Sequence, residues 1–381
     1  MRLGIFTNAY RPIISGVVNS VDLIRKGLLA QGHVPYVFAP EFPGYRDQHA
    51  GVLRFRSLSL SSRVEFPLAI PYSTRIFPRI PRMRLDVLHA HHPFLLGDVA
   101  VHFARKLNLP LVFTFHTQYE QYAHYIPLPK KAVQAAARRA VRAYARRCDL
   151  IICPSPVLKT LLQEEYRLDT RLETLPNAID LSRFQGVQGD GLRRSLGFGP
   201  EDVVAVYAGR IGLEKNLAFL LRAFARVQDT RARLLVVGDG PELANLKAQA
   251  QALGISPRVR FTGKVEYGCM PAYYAAADLF AITSTTEVKP LVVLEAMASG
   301  LPVVAVAACG TQDTVTHEGD GLLCPCREED FRAILERAMA DPDLRSRMSV
   351  GARRTSQGTS IETYTERLVE LYRDLLRRRI P

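Results

Sequence analysis

The stretch DLFAITSTTEVKPLVVLEAMASGLPVVAVAA, Asp278 to Ala308, reads as strand, loop, helix and strand in close succession. DLFAITS is a compact apolar run of strand length. Pro290 suits the first position of a helix, where its missing N–H has no intrahelical use. The spacing predicts a helix over Pro290–Ser299, with Gly300 just past its end and Pro302 beyond. Val303–Ala307 is then the next buried strand. Strand–helix–strand units of this kind build parallel sheets covered by helices on both faces.

The same rhythm runs through the chain. RLGIFT leads to VVNSVDLIRKGLLAQ, where Val17, Val21, Ile24 and Leu28 recur at helical spacing before Gly32. VPYVFAP, VLHAH, LVFTFHT and LIICPS are further strand-like runs, separated by helix-like ones such as GDVAVHFARKLN and VLKTLLQEEY. The pattern loosens between Asn177 and Pro200 and restarts with VVAVYAGR, NLAFLLRAFARVQ, LLVVGDG and VRFTG. The expected fold class is α/β, with two doubly wound domains over residues 1–182 and 183–355. Residues 356–381 form a C-terminal helix that can pack back on the first domain. Two such domains facing each other make a cleft, and ligands sit beyond the carboxyl ends of the strands.

Composition narrows the class. The chain has 381 residues, 48% hydrophobic and 23% charged, which excludes general disorder. Its net charge of +13 points to an anionic partner: nucleic acid, an acidic membrane surface or phosphorylated ligands. Six scattered cysteines show no C-x-x-C pair, so neither a zinc framework nor a thioredoxin-type site is expected. His89 and His91 alternate along one strand but lack an acidic or cysteine partner for a metal. The N-terminus shows no signal-peptide pattern and no run of about 20 apolar residues occurs. A reduced, cytosolic enzyme is expected.

The chemistry gathers at strand ends. The helix start after DLFAITS offers unused N–H groups, those of Leu291 and Val292, and the positive end of a dipole to an anion. Glu287 lies just before it, and Glu295 lies one turn along on the face shared with Leu291. One reading is a phosphate at the helix start with carboxylates accepting from sugar hydroxyls. The other is a helix stabilised by acidic residues in its first turn. Downstream of VVAVYAG, the loop RIGLEKN carries Arg210 and Lys215, which can clamp a diphosphate or be ordinary solvated cations. VVGDGPE is a strand ending in a glycine-bracketed turn and is weak evidence for a nucleotide.

On these residues the chain resembles the retaining glycosyltransferases of family 4, with the GT-B fold of two Rossmann-like domains facing across a cleft. The pair Glu287 and Glu295, with seven residues between them, matches the family's glutamate motif. The spacing of Arg210 and Lys215 matches its G-R-x-x-x-x-K loop, and PNAID (Pro176–Asp180) matches its interdomain P-N-G-[IV]-D. The resemblance implies that Glu295 binds the donor's ribose and Glu287 the transferred hexose. Arg210 and Lys215 would hold the diphosphate without a metal or cofactor, Gly16 would approach the phosphates and His116 the sugar. Asn177 falls at the hinge. The family usually has glycine where this chain has Pro290, and often an aromatic or glutamine at Lys289, which here can offer its charge to the donor. The run His116–Ile126 is similar to the 1,2-diacylglycerol glucosyltransferases, which use UDP-glucose to build membrane glycolipids.

The segment Lys130–Arg147 has seven basic residues and no acid. At 100° per residue, Lys131, Arg138, Arg139, Arg142 and Arg146 share one side, opposite Val133, Ala137, Ala140, Val141 and Tyr144. The basic side suits anionic lipid headgroups or is simply solvated. No nucleic-acid module is present. Together with the basic helix, the resemblance implies transfer of glucose from a nucleotide sugar, UDP-glucose, to a membrane lipid hydroxyl, by an enzyme peripheral on the inner face of the membrane. The rivals are a mannosyl- or galactosyltransferase with a soluble or polyprenyl acceptor, and a basic binding protein on an inactive transferase fold.

Overall fold

A computed structural model describes residues 1–58, 67–121 and 128–379. The strands in chain order are β1 Arg2–Phe6, β2 Val34–Pro40, β3 Val52–Phe55, β4 Ser57–Leu58, β5 Leu68–Ala69, β6 Val87–Ala90, β7 Leu111–Thr114, β8 Leu150–Cys153, β9 Leu172–Thr174, β10 Val203–Ala208, β11 Ala232–Val237, β12 Val259–Gly263, β13 Leu279–Ile282, β14 Val303–Val306 and β15 Gly321–Cys324. The helices are α1 Gly16–Ala30, α2 Leu96–Leu107, α3 Lys130–Ala145, α4 Pro156–Glu164, α5 Asp190–Ser195, α6 Leu217–Ala225, α7 Leu243–Ala252, α8 Met270–Ala275, α9 Leu291–Ala298, α10 Cys309–Gln312, α11 Glu328–Ala340, α12 Pro342–Gln357 and α13 Ile361–Arg377.

The chain divides into two units, Met1–Ala178 with Ile361–Pro381, and Ile179–Ser360. The crossing therefore falls a few residues before the 182/183 boundary read from the sequence, and the return a few residues after 355. Ile179 explains the first difference: it is buried in the core of the second unit and bridged to Ser360. The closing helix α13 belongs to the first unit, where Tyr364, Leu368, Tyr372 and Leu375 join the core beside α1. Gly27 makes room for it, since a Cβ there would sit 2.0 Å from Thr365 Oγ1.

The first unit holds a parallel seven-stranded sheet in the order β3-β2-β1-β6-β7-β8-β9, with β4 and β5 as a separate antiparallel pair. The second holds a parallel six-stranded sheet, β12-β11-β10-β13-β14-β15. The strand order reverses between β1 and β6 in the first and between β10 and β13 in the second. These are the switch points where open α/β sheets take their ligands.

Burial on both faces explains why the strands read as unbroken apolar runs. Along β10, Val203, Ala205 and Tyr207 enter one core while Val204, Val206 and Ala208 enter the other. Side chains alternate across a strand, so a strand between two helical layers needs apolar residues at every position. Each buried valine or leucine contributes about 1.5–3 kcal/mol. The VVGDG turn is a packing device. Gly238 has φ +143°, and a Cβ there would lie 1.9 Å from the Gly209 carbonyl oxygen. The loops after β10 and β11 therefore meet backbone to backbone, joined where Ile211 N donates to Asp239 O at 2.8 Å.

Candidate active site

In the second unit, the loop after β10 and the loop after β13 meet at the switch point. Thr283 Oγ1 donates to the carbonyls of Lys215 and Asn216 at 3.2 and 3.0 Å, and Ser284 Oγ donates to that of Glu214 at 3.1 Å. These hydroxyls, read in the sequence only as a strand end, fix the cation loop. Lys215 Nζ lies 2.5 Å from Glu287 Oε1, and the two side chains are 18% and 16% exposed. Lys215 is thus a held charge, and the solvated-cation reading does not apply to it. Arg210 is more open, with 39% of its side chain exposed, and lies 3.5 Å from the buried Glu214 carboxylate. A Cβ on Gly310 would come within 2.6 Å of the Glu287 carbonyl oxygen, so α10 backs the Glu287 turn at a distance only glycine permits.

The helix after Glu287 begins one residue later than the sequence suggested. Pro290 is its N-cap, with φ −71° and ψ 114°, and α9 runs Leu291–Ala298 rather than Pro290–Ser299. Extended ψ follows from the cap position, where the chain is still entering the helix. No side chain caps α9 and its first turn holds no acid, so the acidic-first-turn reading is wrong. The amides of Leu291 and Val292 open the helix as first-turn donors that its own ladder does not use. Lys289 is directed to α10, its ammonium donating to the Asp313 carbonyl at 3.0 Å. Burial lowers its pKa, and the charge of Asp313 opposes this.

Glu295 is 2% exposed. Its two oxygens accept from Tyr267 Oη at 2.8 Å and Tyr274 Oη at 3.0 Å. Burial raises its pKa, against the lowering effect of both hydroxyls and of Arg183. Neither tyrosine stood out in the sequence. They are two of the three tyrosines in EYGCMPAYY, and only the fold brings them to α9.

In the first unit, Gly16 is the exposed first residue of α1, whose N-cap Ser15 accepts from Val18 N at 3.3 Å. Asn177 is buried at the end of this unit. His116 follows β7 and its Nε2 lies 2.8 Å from His91 Nδ1. His91 stacks on His89 with ring centroids 4.3 Å apart. The His89 ring bridges Tyr372 Oη at 2.6 Å and Thr114 Oγ1 at 2.7 Å. Among the described residues no histidine, cysteine and carboxylate cluster could hold a metal. Burial lowers the pKa of His89 and of His116 from 6.5 to about 3. Residues 122–126 of the run that carries the lipid-enzyme resemblance lie outside the described residues.

The buried His89 ring makes the fold acid-sensitive. Its folded pKa is depressed, so below about pH 6.5 the unfolded chain takes up a proton that the folded chain refuses. The associated stability is intact above that pH and declines by about 1.4 kcal/mol per unit below it, about 2 kcal/mol by pH 5. Thermal melts from pH 7 to 5 are expected to show this decline, and His89→Gln, less stable at pH 7, should decline less steeply. Parallel slopes would refute it.

Helix α3 departs from its expected two-sided pattern. Val141, Tyr144 and Ala145 are buried, but Ala140 is exposed because it lies about 100° round from Val141. Lys131, Arg139 and Arg146 are exposed. Arg138 instead pairs with Glu165 at 3.4 Å, and Arg142 buries its Nε without a hydrogen-bond partner among the described residues. Among the described residues no helix is long and apolar enough to cross a membrane.

Residues 14–183 match the family described as Glycosyltransferase Family 4, and residues 190–355 match Glycosyl transferases group 1. The chain is 32% identical over 354 residues to an alpha-monoglucosyldiacylglycerol synthase of Streptococcus pneumoniae, covering 90% of this chain and 80% of that protein. It is 30% identical over 389 residues to a GDP-mannose-dependent alpha-mannosyltransferase of Mycobacterium tuberculosis, covering 100% and 98%. Its fold superposes on sucrose-phosphate synthase from Thermosynechococcus elongatus with a TM-score of 0.85 at 21% identity, over 99% of this chain and 100% of that one. Matches that span both sheets, and relatives at this identity along nearly the whole chain, place it in glycosyltransferase family 4, as a hexosyltransferase with the GT-B fold.

Proposed function

We propose that this enzyme transfers glucose from UDP-glucose to the hydroxyl of a membrane lipid, diacylglycerol or a glycosyl-diacylglycerol, with retention of configuration. The observation that carries the donor site is the Lys215–Glu287 pair, held at 2.5 Å beside an uncapped helix start at the switch point of the second sheet. The name of the pneumococcal relative, an alpha-monoglucosyldiacylglycerol synthase, supports the hexose, the linkage and the lipid.

The reaction breaks the bond between the sugar's anomeric carbon and the diphosphate, and negative charge grows on the leaving phosphate. Lys215, Arg210 and the amides of Leu291 and Val292 meet that charge with donors already in place. The acceptor oxygen forms its bond on the same face of the sugar, and its proton passes to the departing diphosphate. No protein nucleophile is needed and no metal or cofactor enters. Glu287 takes the hexose hydroxyls, Glu295 the ribose, and Lys289 braces the turn between them. By the family resemblance His116 is a sugar ligand and Gly16 a phosphate neighbour. The exposed Lys131, Arg139 and Arg146 draw the protein to anionic lipid at the inner face of the membrane, with Arg138 and Arg142 behind them.

A second reading, a mannosyltransferase, is favoured by the 30% identity to the mycobacterial enzyme along the entire chain. Purified protein given labelled UDP-glucose or GDP-mannose, with diacylglycerol vesicles of neutral or anionic lipid, separates the two. Label is expected to move from UDP-glucose into lipid, faster on anionic vesicles. Preference for GDP-mannose would establish the second reading. Replacing Lys131, Arg139 and Arg146 together with glutamine should weaken vesicle binding about 100-fold at low salt, since each contributes about 1 kcal/mol near the surface. Unchanged binding in a sedimentation assay would remove α3 from the membrane role.

A further inference from the structure

The histidines of the first unit carry an inference about proton placement. His91 lies on β7's neighbour just past the end of β6, is fully buried, and is sandwiched between two other imidazoles, with centroids 4.3 Å from His89 and 5.1 Å from His116. Its Nδ1 lies 2.8 Å from His116 Nε2. Its Nε2 is buried and has no hydrogen-bond partner among the described residues. This ring has no part in the transfer steps assigned to Lys215, Arg210, Glu287 and His116.

Two neutral imidazoles joined in this way share one proton, and it can sit on either nitrogen. If His116 Nε2 carries it, His91 Nδ1 is the acceptor. A neutral His91 must then hold its own proton on Nε2. That places an N–H donor in the interior with no acceptor among the described residues. If His91 Nδ1 carries the shared proton, its Nε2 is a bare lone pair. Among backbone groups, orphaned buried N–H donors are rarer than under-satisfied acceptors, and the same order applied to imidazole marks the first arrangement as the costlier one. A proton on both nitrogens of either ring is disfavoured by burial and by the neighbouring imidazoles, which hold both pKa values far below 6.5. His89 cannot relieve His91, because its two nitrogens are already engaged by Tyr372 and Thr114.

We propose that His91 is a positioning residue: by donating from Nδ1 to His116 Nε2 it locks His116 as the Nδ1–H tautomer, so that His116 offers a hydrogen-bond donor to a sugar oxygen. This rests on the reading of His116 as a sugar ligand. It adds which nitrogen does the work and which residue sets it. One nitrogen's hydrogen bond fixing the state of the other is the general means by which proteins choose a histidine tautomer. The donor stays neutral through pH 5 to 8, so it recognises a hydroxyl or ring oxygen of the sugar without adding charge.

The proton positions are read directly by long-range nitrogen–hydrogen correlation spectra of the full-length protein labelled with 15N-histidine. His116→Asn assigns the His116 signals by difference. A protonated-type shift at His116 Nδ1 and an unprotonated-type shift at Nε2 are expected, with the protonated type at Nδ1 of His91. The reverse pattern in the wild-type protein overturns the proposal without recourse to a variant. Kinetics give the second arm. His91→Phe keeps a ring but loses the donor, and kcat for glucosyl transfer should fall about tenfold, the worth of one hydrogen bond, with KM for the donor little changed. His91→Asn, whose amide can donate from the same place, should recover most of that loss. Equal kcat in His91→Phe and wild type also overturns the proposal. Full transfer activity in His116→Asn would instead defeat the reading of His116 as a sugar ligand, while the spectrum would still report the tautomer.

Discussion

Replacing Lys215 with alanine is expected to lower kcat by about 10²–10³-fold, the usual consequence of removing one preorganised donor from a developing negative charge. The size follows from how the ammonium is held. Its side chain is 18% exposed and its Nζ lies 2.5 Å from Glu287 Oε1. Its loop is tied to β13 by Thr283 and Ser284. The ordering of a flexible chain is therefore complete before the donor arrives, and little reorganisation remains for the transition state. The variant also strands the Glu287 carboxylate, largely buried, near the incoming diphosphate. Leaving that charge unpaired should cost about 1–3 kcal/mol of stability. A double variant, Lys215→Ala with Glu287→Gln, separates the two effects: the melting temperature should recover, and turnover should not. Wild-type turnover in Lys215→Ala would take the diphosphate clamp out of the mechanism.

The layering was legible because burial on both faces leaves a plain trace. β10 needs an apolar residue at every position to feed two cores, and VVAVYA supplies it. The strand ends that carry Arg210, Lys215 and Glu287 were legible for the same reason, since ligands collect at the switch point of such a sheet. What stayed hidden depends on side chains that meet across large sequence separations. Tyr267, in the turn before α8, and Tyr274, on α8, reach Glu295 on α9 only in the folded chain, and no local period marks either. His89 and His91 were seen to share a face, yet their partners Tyr372 and His116 come from other elements. The basic helix misled in its detail. A wheel assigns directions from an ideal period but does not know that Glu165 stands opposite Arg138. Pro290 misled by a single position, because its fixed φ, here −71°, does not distinguish the first helical residue from the one before it, and only ψ, 114°, does.

The second large effect is expected at Glu295. Glu295→Gln should raise KM for the nucleotide sugar about 10- to 100-fold and leave kcat nearly unchanged. A charged acceptor contributes about 1.5–3 kcal/mol where a neutral one contributes less, and the ribose is far from the bond that breaks, so the loss falls on binding rather than on turnover. The competing account is that Glu295 only anchors Tyr267 and Tyr274. Glutamine can still accept from one hydroxyl, so that account predicts a lower melting temperature with KM unchanged. Tyr267→Phe tests the same point from the other side: it removes one hydroxyl but keeps the carboxylate, and KM should move only a few-fold. The pH dependence is a further discriminator. Burial raises the pKa of Glu295, so protonation as pH falls removes the acceptor earlier than it would from an ordinary carboxylate. KM for the donor in the wild type should therefore climb on the acid side, above the pH at which exposed carboxylates titrate. The glutamine variant should lack that climb, because it has no proton to gain there. A climb of equal size in both would assign it to another group and leave Glu295 with an anchoring role alone.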